Sequence, residues 1–240
     1  MLSYQHIYHA GNLADLHKHG VLARLLGFMT QKARPLSLME THGGRGLYDL
    51  SSPEAAKTGE AAEGIGATPS LPPELQAVLS SIQGKYGSGF YAGSPLIMHH
   101  FMRQGDRQVI MELHPTEHAA LEKTMRGMSV QIHKRDGYEG ILALSPPQPR
   151  RGLVLVDPSY EVKAEYGQVV KFTAKLLAKW PQAVVMIWYP LLEVGLHEEM
   201  KAGLVAIAPE IVFDEVHFKG SKMRMLGSGL ALINKPYGFD

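Results

Sequence analysis

The chain has 240 residues, a net charge of +1 and 45% hydrophobic residues, so its composition predicts one domain with a substantial core. There is no cysteine, which excludes disulfides and thiolate metal sites. No apolar run reaches the roughly 18 residues that span a bilayer, and residues 1–12 lack the pattern of a signal peptide. We therefore expect a soluble, cytoplasmic protein, and the net charge gives no strong argument for a nucleic-acid partner.

The predicted elements alternate between helices and strands along most of the chain. A helix is predicted first, over residues 13–32, and further helices at 116–126, 163–180 and 192–204. Seven apolar, β-rich segments span residues 35–41, 107–114, 129–134, 151–157, 183–190, 210–218 and 228–235. Alternation of this kind is typical of a parallel sheet in a three-layer α/β fold. The last two segments leave no room for a helix between them, so we predict an antiparallel hairpin at one sheet edge.

Residues 51–93 interrupt the alternation. This segment is rich in proline and small residues and shows weak helical patterns at 54–63 and 73–86. It contains no convincing strand. We interpret it as a small, largely helical insertion within a single domain of residues 1–240, placed between the first strand and a helix that starts near Ser94.

Acidic residues follow or end several of the predicted strands. The first strand ends at Glu40 and leads into the glycine-rich turn Gly43–Gly46, the second ends at Glu112, Asp136 follows the third, and the fourth ends at Asp157. Because open parallel sheets bind ligands at the carboxyl ends of their strands, these acids and glycines together indicate a nucleoside-type ligand. For Asp136 alone, a role as a helix N-cap is an equally good interpretation.

The stretch Asp157-Pro158-Ser159-Tyr160 resembles the [D/N]-P-P-[Y/F/W] motif of S-adenosylmethionine-dependent amino-methyltransferases. An exocyclic adenine amine is a poor nucleophile because its lone pair is delocalised into the ring. A carboxylate and a backbone carbonyl that accept its two N–H bonds favour a tetrahedral nitrogen, and an aromatic ring can stack on the exposed base. Ser159 replaces the usual second proline; we expect a less rigid loop that keeps its activity. The alternative is an ordinary Asp-Pro turn after a strand.

Seven segments together extend this resemblance to most of the chain. They are "MLSYQHIYHAGNLADLHKH" at residues 1–19, "THGGRGLYDL", "KTGEAAEGI", "YAGSPLIM", "ELHP", "DGY" and "DPSYE", in that order. The chain resembles, to about residue 236, the 23S ribosomal RNA adenine-N6 methyltransferase J family, in older usage a protein for using external DNA as a nutrient. The resemblance implies a Rossmann-like class I methyltransferase fold with a small helical insertion, S-adenosylmethionine as cofactor, and free or partly assembled 23S ribosomal RNA as the partner. The sequence does not indicate an oligomeric state, and a monomer is the default expectation.

The same resemblance implies roles for individual residues. Contacts with S-adenosylmethionine or its homocysteine product are implied for Lys18, His19, His42, Ser94, Glu112, Asp136, Gly137 and Asp157. Asp157 is also the implied catalytic residue, described as a proton acceptor. Tyr4 resembles the tyrosine that meets the RNA, and Tyr160 is the expected stacking partner of the target base.

The positions of these residues are chemically reasonable. A carboxylate at Glu112 can hold both ribose hydroxyls, while Asp136 can accept from the cofactor's adenine amine beside the open backbone N–H of Gly137. Ser94 precedes a proline and a helical run, an N-cap-like position. A carboxylate cannot take a proton from a neutral amine before methylation, but Asp157 could receive one afterwards, when the amine has become acidic.

Two further patterns have less specific interpretations. Four histidines, His6, His9, His17 and His19, lie near the start, but no paired acid accompanies them and an extended segment rarely fixes geometry, so we expect no metal. A basic rim around the site could be formed by Lys18, Arg24, Lys32, Arg34, Arg45 and Lys57, which could equally be surface charges. The basic loop at 218–224 is a candidate phosphate contact.

Three other functions remain open at this point. The first is a metal-dependent nuclease, or another DNA-acting protein, whose acids would be Glu40, Glu112, Asp136 and Asp157. Their spread over separate strand ends suits a nucleoside better than a metal pair about 3.5–4 Å apart. The second is a non-catalytic binding protein, and the third is methylation of DNA. The chain also ends sooner than the resemblance leads us to expect.

Overall fold

The computed structural model describes residues 4–218 and 225–239. A short 3-10 helix at His6–Tyr8 precedes nine α-helices and nine strands of the described ranges. The strands are β1 (Ser37–Glu40), β2 (Leu47–Asp49), β3 (Phe90–Ala92), β4 (Arg107–Met111), β5 (Gln131–His133), β6 (Gly152–Val156), β7 (Val184–Leu191), β8 (Val212–His217) and β9 (Gly227–Ile233). The helices are α1 (Leu13–Thr30), α2 (Pro53–Thr58), α3 (Glu60–Glu63), α4 (Pro73–Tyr86), α5 (Ser94–His100), α6 (Pro115–Thr124), α7 (Gly137–Ala143), α8 (Ala164–Lys179) and α9 (Leu196–Ile207).

The seven predicted strands form one sheet in the order β5-β4-β1-β6-β7-β9-β8. The first five of these strands run parallel, and β9 pairs antiparallel with both β7 and β8. The predicted mostly parallel sheet with an antiparallel hairpin at one edge is therefore confirmed. Because five neighbouring strands point the same way, their carboxyl ends meet along one edge of the sheet.

Both faces of the sheet are covered, which explains why its central strands are apolar throughout. In β6, Leu153 and Leu155 face a core shared with α1, α4 and α5, whereas Val154 and Val156 face a second core shared with α8 and α9. Side chains alternate between faces along a strand, so a strand buried on both sides has no polar alternation. The structure has three layers, as predicted.

The segment predicted as a helical insertion contains α2, α3 and α4, and α4 packs on α1. The prediction that it holds no strand was wrong. Its last residues form β3, which pairs antiparallel with β2, so that Tyr48 lies opposite Tyr91 and both rings are buried. Two three-residue strands have too short a pattern to be recognised in sequence, and burial of the two tyrosines stabilises them in the fold.

The amino-terminal segment is fixed by contacts with the insertion, contrary to the expectation of an extended stretch. The Thr58 hydroxyl donates to the Tyr8 carbonyl, and Ile65 N–H donates to the Gly11 carbonyl at 2.9 Å. Asn12 caps α1 by accepting from Asp15 N–H at 2.9 Å. These contacts hold the start of α1 beside the carboxyl edge of the sheet. Among the described residues, no helix has the length and hydropathy that crossing a bilayer requires.

Candidate functional site

A cavity of about 540 Å³ opens at the carboxyl ends of the parallel strands. This volume lies within the usual range of about 300–1,000 Å³ for small-molecule sites. All ten residues singled out in the sequence line it: Tyr4, Lys18, His19, His42, Ser94, Glu112, Asp136, Gly137, Asp157 and Tyr160. The sheet topology therefore brings together residues that lie up to 156 positions apart in the chain.

The glycine-rich turn after β1 packs closely against β4, and its backbone binds the Glu112 carboxylate. A Cβ added at Gly43 would lie 2.4 Å from Ile110, so only glycine fits there. The following Gly44, at φ +59, donates its N–H to Glu112 Oε2 at 2.7 Å, and His114 N–H donates to Glu112 Oε1 at 2.7 Å. Burial raises the pKa of Glu112 to about 7, against the lowering effect of these N–H groups. A carboxylate has about four acceptor sites, so Glu112 keeps acceptor capacity for a ligand.

The start of α7 is packed equally closely. The Asp136 carboxylate accepts from Glu139 N–H at 2.9 Å and so caps α7, which confirms the capping interpretation and leaves the residue on the cavity wall. A Cβ at Gly137 would lie 2.1 Å from the Thr41 carbonyl oxygen, so a residue with a side chain does not fit at this position. Tyr138, which the sequence interpretation did not single out, also lines the cavity, although it stands in the quoted "DGY" motif.

An ion pair holds the carboxylate at the end of β6. Lys18 Nζ lies 2.7 Å from Asp157 Oδ2 and 3.1 Å from Asp15 Oδ1. Burial alone would lower the pKa of Lys18, but the two carboxylates together raise it above its usual value, so the ammonium group keeps its charge. Asp15 is itself buried and had no role in the sequence interpretation. Asp15 joins the ion pair only in the folded chain, where the first two turns of α1 lie beside Asp157.

Two histidines on the cavity wall are uncharged at neutral pH. Burial lowers the pKa of His19 to about 3 and that of His42 to about 4. His19 Nδ1 lies 2.8 Å from the Tyr91 hydroxyl, and His42 Nδ1 lies 2.8 Å from Thr41 Oγ1. Each ring therefore offers the cavity a neutral hydrogen-bonding nitrogen rather than a charge.

The amino-terminal segment closes one side of the cavity. The Tyr4 hydroxyl lies 2.8 Å from His6 Nδ1, and His6 Nε2 lies 2.8 Å from Asp15 Oδ2. The Tyr4 ring stacks on His9, with centroids 5.7 Å apart. The histidines thus have separate partners. Within residues 4–218 and 225–239, no three histidine, aspartate or glutamate side chains are grouped to hold a metal ion.

Tyr160, which follows β6, and Trp188 of β7 form the aromatic wall of the cavity. Tyr160 is only 7% exposed and has φ +54; its hydroxyl donates to the Trp188 carbonyl at 2.8 Å, and its ring lies 4.5 Å from that of Tyr166. Trp188 lines the cavity beside it, with Lys18 Nζ 5.4 Å from the ring centre. The Trp188 Nε1–H donates to Ser228 Oγ at 2.9 Å, which fixes the plane of the indole. The sequence interpretation missed Trp188, which lies inside a largely apolar strand; the pairing of β7 with β6 places it one residue beyond the Val156–Ile187 pair, level with Asp157.

Two expectations about this region were wrong. Ser94 is not the N-cap of α5: Gly93 is, and the Ser94 hydroxyl instead donates to Glu40. Glu40 lies beneath the cavity rather than on its wall, and burial raises its pKa to about 8.

The predicted basic rim is wrong for Lys32 and Arg34, which lie between the end of α1 and the start of β1, at the opposite edge of the sheet. Arg45 pairs with Glu117 at 2.6 Å near the cavity. Residues 219–224 of the predicted basic loop, like residues 1–3, lie outside the described residues.

Solved structures that share this architecture include methyltransferases and a spermidine synthase from Thermotoga maritima. Human methyltransferase-like protein 13, solved in complex with S-adenosylhomocysteine, superposes with a TM-score of 0.50 at 13% identity over 93% of this chain and 83% of that one. The sheet order and the cavity at its carboxyl edge define a class I, S-adenosylmethionine-dependent methyltransferase.

A narrower relationship follows from sequence comparison. The family model described as "Ribosomal RNA large subunit methyltransferase D, RlmJ" matches residues 33–240, and the chain belongs to this family. Proteins named ribosomal RNA large subunit methyltransferase J from Escherichia coli and Haemophilus influenzae are 33% and 36% identical over the whole chain and 89% of their own lengths. A Legionella pneumophila crystal structure is 36% identical, with a TM-score of 0.86 over 96% of this chain and 88% of that one.

The cavity contains unused polar groups that suit this cofactor. Among the described residues, the buried hydroxyl of Tyr138 and Oε2 of Glu165 have no hydrogen-bond partner, and both residues line the cavity. Buried polar atoms without partners are costly, so these two atoms indicate a polar ligand. With the remaining acceptor sites of Glu112, they match a nucleoside carrying hydroxyl and amine groups.

Proposed function

We propose that the protein transfers a methyl group from S-adenosylmethionine to the exocyclic N6 of an adenine in 23S ribosomal RNA. The observation that carries this proposal is the convergence of Glu112, Asp136 and Asp157 on one cavity in a member of this family. The substrate is supported by the names of the two curated relatives, which are ribosomal RNA large subunit methyltransferases. The site is built within one chain, so we further propose a monomer that acts in the cytoplasm.

The proposed residue roles divide the cavity wall between the nucleoside and the methionine portion of the cofactor. Glu112 accepts from the ribose hydroxyls, and Asp136 and Gly137 face the adenine ring. Four residues at the other end, Lys18, His19, His42 and Ser94, surround the methionine portion. S-adenosylmethionine, when bound, supplies an electrophilic methyl group on a positively charged sulfur. Burial lowers the pKa values of His19 and His42, and the resulting neutral rings do not repel that charge.

Asp157 acts on the target amine in this proposal. Its carboxylate accepts an N–H bond of the base and orients the nitrogen lone pair toward the methyl group. After transfer the amine is acidic, and Asp157 receives the released proton. Lys18 stays protonated beside Asp157 and fixes its position through the 2.7 Å ion pair. Tyr4 and Tyr160 contact the RNA, and Trp188 completes the aromatic wall beside Tyr160. Ser159 lines the same wall, so the usual proline can be replaced without blocking the cavity.

A nuclease is less consistent with these contacts. Glu112 already accepts two backbone N–H bonds, and Asp157 is paired with an ammonium group, so neither carboxylate is arranged as a metal bridge.

The test uses labelled S-adenosylmethionine with unmodified 23S RNA and with duplex DNA. We expect label on RNA alone, as N6-methyladenosine, with at least a 100-fold loss in Asp157→Ala. Glu199→Ala, which changes an exposed carboxylate on α9, serves as the control and should retain full activity. Label on DNA alone, or on neither polymer, would overturn the proposed substrate.

A further inference from the structure

The two edges of the sheet carry opposite charge. Among the residues that the structure describes, the cavity wall at the carboxyl edge contains one lysine, Lys18, and seven acids: Asp15, Glu60, Glu112, Glu117, Asp136, Asp157 and Glu165. Lys18 is buried and already neutralised by two of these acids. The described part of this wall therefore offers no unneutralised lysine or arginine to a polyanion such as RNA, although phosphate contacts supply much of the affinity in protein–nucleic-acid complexes.

The amino edge is basic. Three segments lead into the adjacent central strands β4, β1 and β6, and the register places Ser37 of β1 level with Arg107 and Gly152. These segments, residues 31–36, 101–107 and 144–151, contain a single carboxylate, Asp106. They contain six cationic residues, which we call the basic edge: Lys32, Arg34, Arg103, Arg107, Arg150 and Arg151.

Two members of the basic edge, Arg103 and Arg151, bond to backbone carbonyls at the end of α1. Arg103 donates to the carbonyls of Thr30, Lys32 and Arg34 and pairs with Asp106. Arg151 donates to the carbonyls of Met29 and Arg34, at 2.6 and 3.0 Å. These bonds satisfy carbonyls at and beyond the end of α1, which would otherwise lack donors.

The other four members face solvent. The side chains of Lys32, Arg34, Arg107 and Arg150 are exposed, and within the described part of the chain none of them forms a salt bridge. Burial and the neighbouring guanidinium groups of Arg103 and Arg34 lower the pKa of Arg151, as expected where cations crowd together.

The basic edge accounts for the chain's net positive charge. The whole sequence has 24 basic and 23 acidic residues. Without the six cations of the basic edge and Asp106, 18 basic and 22 acidic residues remain. The rest of the molecule is thus net negative, and its field directs a polyanion to this edge.

We propose that the basic edge docks the phosphate backbone of a long RNA whose target base enters the cavity at the opposite edge. The proposal rests on the proposed function and adds a second contact surface to it. Helix α1 links the two surfaces, since Lys18 lies in the cavity and Arg103 binds the carbonyl of Thr30. Twelve residues of helix span about 18 Å, so an RNA that contacts both surfaces extends at least that far from its target base, which a trinucleotide does not. Backbone contacts of this kind position an RNA without reading its sequence.

The test compares Arg34→Gln/Arg150→Gln with Lys171→Gln/Lys175→Gln, two exposed lysines on α8. Arg103 and Arg151 are left intact because they hold the end of α1. Binding is measured, without cofactor and at several salt concentrations, for a 23S fragment of several hundred nucleotides and for a trinucleotide that contains the target adenine. We expect the basic-edge variant to bind the long RNA about 10-fold more weakly, with a salt slope smaller by roughly 1.5. Trinucleotide binding and S-adenosylhomocysteine binding should not change.

Equal weakening for both RNAs, an unchanged salt slope, or the same loss in the α8 variant would overturn the proposal. The proposal would also be overturned if the basic-edge variant lost binding to an acidic peptide or to anionic vesicles but still bound the long RNA as the parent protein does. Because binding is measured without turnover, a protein that binds long RNA through this edge but methylates none would refute the proposed function alone.

Discussion

Glu40 is a fully buried carboxyl group beneath the cavity, and its charge state depends on the fold. One oxygen accepts from the Ser94 hydroxyl, and the other has no partner among the described residues. Burial raises its pKa from 4.5 to about 8. The folded protein therefore keeps a proton on Glu40 that the unfolded chain releases. Its contribution to stability is complete below pH 4.5 and is lost as the pH rises through 8.

Replacing this group with a neutral one should remove that pH dependence. We expect Glu40→Gln to gain stability relative to the parent protein as the pH rises from 5 to 9, by on the order of 3 kcal/mol across the range. Urea unfolding at pH 5, 7 and 9 measures the difference, with the exposed Glu199→Gln as the control. A difference between Glu40→Gln and parent that stays constant with pH would show that Glu40 is ionised in the folded protein.

A second residue-scale prediction concerns the orientation of Trp188. The buried Ser228 hydroxyl accepts from Trp188 Nε1–H and lies 2.9 Å from His17 Nδ1, so it links the aromatic wall to α1. We expect Ser228→Ala to lower the free energy of unfolding by about 1–3 kcal/mol, because it leaves the indole N–H without a partner. The KM for RNA should rise while S-adenosylhomocysteine affinity stays constant. Ser80→Ala, on the exposed face of α4, should change neither, and a Ser228→Ala variant with parental KM would remove Trp188 from the base-binding role.

At the scale of elements, the close contact of α7 with β1 positions Asp136. We expect Gly137→Ala to force α7 away from the Thr41 carbonyl, because the added Cβ would lie 2.1 Å from that oxygen. Stability should fall by about 2 kcal/mol or more, and cofactor affinity should fall with it. Gly84→Ala in α4 is the matched control: nothing lies within 4 Å of its Cβ, so it should be neutral or stabilise by up to about 1 kcal/mol. Calorimetry and titration with S-adenosylhomocysteine measure both; equal effects of the two substitutions would contradict this explanation.

The elements that the sequence predicted are those with a long apolar pattern. All seven strands of the main sheet and the helices α1, α6 and α8 occur close to their predicted positions, because both cores demand continuous apolar side chains. Helix α9 starts at Leu196 rather than residue 192, because a turn in which Gly195 N–H donates to the Leu192 carbonyl separates it from β7. The β2–β3 pair and the ordered amino-terminal segment could not be predicted, because tertiary contacts rather than periodicity form them.

The site was predictable where a residue directly follows a strand. Glu112, Asp136 and Asp157 were located in this way, because a parallel sheet collects its strand ends. Asp15 and Trp188 were missed, since Asp15 reaches the cavity through the packing of α1 and Trp188 lies within β7, where the register with β6 sets it level with Asp157.

At the scale of the whole molecule, ligand binding should stabilise the fold, because the cavity joins α1, the insertion and the sheet. Saturation at about 100 times Kd adds about 2.7 kcal/mol, which corresponds to a rise in Tm of roughly 5–10 °C for a chain of this size. We expect S-adenosylhomocysteine to produce this shift in the parent protein and in Glu199→Gln, and a smaller one in Glu112→Gln. An equal shift in Glu112→Gln would exclude a ribose contact at that residue.

The basic edge shows why charge composition was a poor guide to function. A net charge of +1 conceals an acidic cavity at one edge of the sheet and a group of six cations at the other. Only the topology, which separates the amino ends of the strands from their carboxyl ends, reveals this arrangement. The predicted basic rim failed for the same reason, since Lys32 and Arg34 precede a strand rather than follow one.

The most direct test is a crystal structure of the protein with S-adenosylhomocysteine. We predict that the ligand occupies the cavity, with its ribose hydroxyls on Glu112, its adenine beside Asp136 and Tyr138, and its sulfur directed toward Asp157. Density for the ligand elsewhere, or a ribose distant from Glu112, would contradict the account.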